Sequence, residues 1–138
     1  MKKILNILFV GSLVLFFLLF ISIFFGNEID NINPFMKSSM INTTLEWGRF
    51  AEFPESKYDF DIYTTGTMFT RGYRCSFYLP EKDLYKWIKE SPGLQEASIH
   101  IINESKKRYN IEPGGGALHA EAIIDFNEYF IEIYTYWS

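Results

Sequence analysis

The run Ile4–Phe25 constrains this chain more than any other stretch. It consists almost entirely of Leu, Ile, Phe and Val, its polar members are Asn6, Ser12 and Ser22, and it holds neither a charge nor a proline. A helix of that length measures roughly 33 Å at 1.5 Å per residue, close to the ~30 Å hydrocarbon core of a bilayer. A helix also satisfies every backbone polar group internally, as hydrocarbon requires. The sequence therefore predicts an N-terminal transmembrane anchor over 1–25, in contact with the lipid bilayer through residues 4–25. Lys2 and Lys3 precede the run, whereas Glu28 and Asp30 follow it. That asymmetry places the N-terminus in the cytoplasm and the body of the chain outside, as a single-pass protein of the cell membrane. A cleaved signal peptide is the rival reading, but the run is longer than a signal h-region and ends Ile23-Phe24-Phe25-Gly26, without an A-x-A-like site.

The remaining length suits one small domain. Residues 26–39 are rich in Asn and Ser, carry Pro34 and read as a stalk. Residues 40–138 then form the extracytoplasmic domain. Thirteen Lys and Arg stand against seventeen Asp and Glu. An acidic balance of this kind argues against a nucleic-acid partner, which favours a basic face. The single cysteine, Cys75, permits no intramolecular disulfide, and it falls among alternating apolar residues as a small buried hydrophobe.

Periodicity supplies the elements. Thr44–Phe53 predicts a short helix capped by Thr43 or Thr44 and stopped before Pro54. Tyr58–Thr65 alternates as a half-buried strand, and Met68–Leu79 continues as a second, with Tyr73, Cys75, Phe77 and Leu79 inward. Glu81–Glu90 predicts a helix, with acids in its first turn and Leu84, Trp87 and Ile88 on one stripe. The stretch 94–116 is the least patterned, Ile99, Ile101 and Ile102 fitting either a short strand or a helical turn, and Pro113–Gly116 reads as a flexible joint. The C-terminus predicts a hairpin centred on Asn127-Glu128, in which paired residue numbers sum to 255. One face carries Ala120, Ala122, Ile124, Ile131 and Ile133, the alanines leaving room for the helix of Trp87. The fold class expected is α+β: the transmembrane helix, then a small antiparallel sheet in ββαββ order with one helix packed on one face.

Candidate chemistry is sparse. His119-x-Glu121 places an imidazole and a carboxylate on one strand face, half of a metal site or of an acid–base pair. With no second histidine nearby in sequence, the pattern predicts a solvent-facing pair. No catalytic, metal or cofactor-binding residue is assigned. The other face of the hairpin brings His119, Glu121, Phe130, Glu132, Tyr134 and Tyr136 together as a candidate partner surface. Leu45, Trp47 and Phe50 are expected to cover part of it.

The run from Phe77 to Leu94 (FYLPEKDLYKWIKESPGL), with Gly114-Gly115-Gly116-Ala117 and the terminal Tyr136-Trp137-Ser138, resembles small bacterial membrane-anchored proteins of uncharacterised function. The resemblance implies an extracytoplasmic α+β domain and transfers no catalytic residue. The function expected is a non-enzymatic, membrane-anchored module that binds a protein or an envelope component. The alternatives are a cell-envelope enzyme using His119 and Glu121, and a membrane-anchored immunity or inhibitor protein.

Overall fold

The computed structural model describes residues 11–16, 34–67 and 69–138, and the chain divides into two units, Met1–Asn31 and Ile32–Ser138. In the first unit, residues 11–16 are helical with exposed side chains. Among the described residues, no helix is long and apolar enough to cross a membrane. The expected transmembrane anchor is thereby overturned. So is the placement built on it, a single-pass cell-membrane protein with a cytoplasmic N-terminus and an extracytoplasmic body. The rest of the 4–25 run, and residues 26–33 of the expected stalk, lie outside the described residues.

The second unit is a six-stranded antiparallel sheet with helices on one face. In chain order its elements are α1 (Pro34–Gly48), β1 (Tyr58–Thr65), β2 (Arg71–Tyr78), α2 (Glu81–Glu90), α3 (Pro92–Gln95), β3 (Ser98–Ile101), β4 (Lys106–Ile111), β5 (His119–Asp125) and β6 (Phe130–Trp137). Across the sheet the order is β1-β2-β6-β5-β4-β3, every neighbouring pair antiparallel. The four-stranded ββαββ expectation is thus corrected to six strands and three helices in this unit. The extra hairpin, β3–β4, comes from the stretch 94–116, where Ile99 and Ile101 lie in a strand rather than a helical turn.

The stalk expectation also changes. Residues 34–39 begin α1, with Pro34 at its start, where a missing N–H breaks no helical bond. Thr43 and Thr44 lie inside this helix rather than capping it. Their hydroxyls donate to the carbonyls of Ser39 and Met40, at 2.9 and 2.8 Å. That bond lets Thr44 be fully buried beside Met40 and Trp47, because a buried hydroxyl is tolerated once it is satisfied.

The core lies between the helices and the inward residues of the sheet. Phe77, Leu79, Leu84, Ile124, Ile131 and Ile133 have no exposed surface. Phe53 and Trp87 pack against Phe77 with ring centroids 4.9 and 5.8 Å apart, and Phe50 packs on Trp87 at 5.4 Å. The Trp87 indole N–H donates to the Ala51 carbonyl at 3.1 Å, while the Ser91 hydroxyl accepts from the Ala51 N–H at 3.0 Å. The chain leaving α1 is thereby stitched to the end of α2. Ala120 and Ala122 do make room for a helix, but the backbone that approaches β5 closely is α1. The Pro113–Gly116 turn is anchored rather than free, since the Gly114 N–H donates to the Trp47 carbonyl at 2.9 Å. Gly115 and Gly116 take the positive φ values, 58° and 79°, that the turn requires.

Candidate functional site

Period-2 alternation sends the remaining sheet residues to the face away from the helices. Ladder register then arranges them in rows across the strands. One row runs Tyr63–Arg74–Tyr134–Glu121–Asn110, and the next runs Asp61–Ser76–Glu132–Ile123–Arg108–His100. On one side of these lies His119 opposite Tyr136, and on the other Tyr58–Tyr78–Phe130–Asp125–Lys106. The six residues expected at the partner surface therefore share one face, and the hairpin has the register that sums to 255.

The expected cover does not lie on it. Trp47 packs against Tyr73 at 5.5 Å and Phe50 against Trp87, while Leu45 packs against the core. All three belong to the helix side. The reason is that α1 starts ten residues earlier than its sequence pattern indicates, so its apolar residues enter the main core. No helix among the described residues lies over the opposite face.

Opposite charges are interleaved on this face. Glu121 lies between the His119 imidazole, 3.5 Å from Nε2, and the Arg108 guanidinium, 3.8 Å from Nε. Arg74 stands 3.6 Å from Glu132 and over the Tyr134 ring at 5.5 Å. The His119 ring lies 5.8 Å from that of Tyr134. At the far end, Tyr58 stacks on Tyr78 at 5.4 Å and Tyr78 meets Phe130 at 4.8 Å. These groups are half-exposed and linked in pairs, so they present a surface with fixed shape and alternating sign. Arg74, Arg108, Tyr63 and Tyr78 join the site beyond the sequence expectation. Alternation within 106–111, with Lys106, Arg108 and Asn110 opposed to Lys107, Tyr109 and Ile111, is the signal that would have found Arg108.

Lys106 reaches the Asp125 carboxylate at 3.5 Å. Burial pushes the Asp125 carboxyl up. Hydrogen bonds from the Asn127 and Glu128 N–H groups and the Ser105 hydroxyl, with the Lys106 charge, outweigh this and hold it below the ordinary aspartate value. Burial, helped by Asp61, pushes the Cys75 thiol up to about 12. A thiol so raised is not nucleophilic, and Cys75 acts as a packed apolar group.

His119 and Glu121 form a real pair, on an open sheet face rather than in a cavity. Among the described residues, no three or more His, Cys, Asp or Glu side chains are grouped to hold a metal ion. A cleft of about 410 Å³ does exist elsewhere, lined by Trp47, Thr67, Phe69, Thr70, Arg71, Gly115 and Trp137. It touches neither His119 nor Glu121. No protein-family model, curated protein or solved structure matches this chain.

Proposed function

We propose that this protein is a non-enzymatic binding module, and that its partner is another protein docked on the open face of the sheet. The observation behind this reading is one face of interleaved aromatic rings and opposed charges with no helix laid over it. Arg74, Arg108 and Lys106 are matched there by Glu132, Glu121 and Asp125. A polyanion or an anionic lipid surface selects a face of one sign, whereas a protein partner suits rings interspersed with both. Tyr and Arg are also the residue types that carry most binding energy when an interface closes over them.

Replacing Tyr134 and Tyr136 together by serine in the full-length chain tests the reading. The variant should melt as a folded protein and lose the partner that the wild type captures from its own cell extract. Glu132→Lys, a reversal at a partly exposed position, should do the same without removing apolar packing. Undiminished capture by both variants would refute the reading.

A further inference from the structure

The two edges of the sheet are built differently, and the contrast assigns them different roles. A free edge strand offers unpaired N–H and C=O groups to any extended chain, so proteins ordinarily guard it with charges, bulges or twist. The β1 edge is guarded. Its pairing with β2 shifts register between Tyr58 and Asp61, Asp59 adopts a positive φ of 50°, and Asp59 and Asp61 both face solvent. The β3 edge, though only four residues long, has neither a bulge nor an acid. Ser98–Ile101 pairs with β4 in unbroken register, and the strand contains no proline, lysine or acid. Its turn is fixed by the Asn103 carboxamide oxygen, which accepts from the Ser105 and Lys106 N–H groups at 3.0 and 2.8 Å.

This bare edge also exposes apolar surface. Ile99 and Ile101, opposite Tyr109 and Lys107 on the helix side, are 55% and 67% exposed, and Ile102 beside them is 42% exposed. Tyr109 and Ile111, one strand further in, are buried, so the helix layer stops short of β3. On the other face His100 stands opposite Arg108. The strand behind it supplies Lys106, Lys107 and Arg108 in succession, and β3 itself has no carboxylate.

We propose that β3 is a strand-addition site for an extended acidic segment of another protein. The segment joins the sheet as a seventh strand and meets Ile99 and Ile101 with apolar side chains. A carboxylate falls opposite His100, facing the Arg108 side of the row. Main-chain bonds hold such a segment, and side-chain alternation selects it. Lys106 and Arg108 face Asp125 and Glu121, and the one further cation of the strand, Lys107, leaves the β4 side with an excess of positive charge that sets the sign. This edge adjoins the open face at the Arg108–His100 end of one row, whereas Ile99 and Ile101 lie on the helix side of the strand.

The test uses the full-length chain and two labelled peptides without proline, one alternating Val with Glu and the other Val with Lys. The Val–Glu peptide should bind, with salt weakening it, and should slow amide exchange in 98–101. Ile99→Lys with Ile101→Lys, both exposed positions that leave the core intact, should weaken it by about tenfold or more, as should His100→Glu, which sets a carboxylate against that of the peptide. Equal binding of the two peptides, no protection of β3, or no effect of the variants would overturn the proposal. So would sedimentation showing that the chain pairs with a second copy of itself and that the Ile99→Lys, Ile101→Lys variant is monomeric.

Discussion

Thr135 shows how one atom can be improved. It lies on the helix side of β6, fully buried, and its hydroxyl has no hydrogen-bond partner among the described residues. A buried hydroxyl without a partner loses its water and gains nothing in return. Thr135→Val keeps the shape and removes the polar atom, and should raise unfolding stability by about 1 kcal/mol. Urea denaturation checks this, and a loss of stability would contradict it. Asp125 behaves oppositely, because its carboxylate is used. Its carboxyl is held below the ordinary value, so it stabilises the fold above the unfolded pKa. That contribution is lost as pH falls below about 4 and through the folded value. Asp125→Asn should therefore cost stability at pH 7 and cost less at pH 3, the gap between the two proteins narrowing on acidification. Neither effect was legible in the sequence. Thr135 sits in an alternation that marks it inward, but nothing in the chain states whether its hydroxyl finds a partner.

At the level of elements, legibility followed how far each one obeys its own period. The β5–β6 hairpin and α2 alternate or repeat cleanly, so their register and extent were readable. In α1, Met40, Thr44 and Trp47 form the buried stripe, and a threonine in that stripe hides it. The β3–β4 hairpin was hidden for another reason: β3 is exposed on both faces, and β4 buries only Tyr109 and Ile111. The joints between elements were equally invisible. Gly93 donates its N–H to the Arg49 carbonyl at 2.9 Å, and a Cβ placed on it would overlap the Gly48 carbonyl oxygen. Gly93→Ala should push α3 away from the end of α1 and cost about 1–3 kcal/mol, the range for overfilling a packed contact. Thermal unfolding reads this, and an unchanged midpoint would mean that the two helix ends are free to separate.

For the whole molecule, the helix layer belongs to one face and the mixed aromatic and charged rows to the other. The candidate surface was legible as six residues because a hairpin needs only local register. Its extension to Arg74, Arg108 and Tyr63 was not, because β2 and β4 are placed beside the hairpin by tertiary packing. The long apolar run at the N-terminus pointed to a membrane span, and no described helix provides one. The binding reading therefore stands on the sheet alone. Site-specific photo-crosslinking in cells tests it most directly, with a photoreactive side chain at Tyr134 on the open face or at Lys86 on the outer side of α2. Adducts to a partner protein from position 134 and none from position 86 are the outcome expected. Adducts from position 86 with none from position 134 would place the partner on the helix layer and contradict the account.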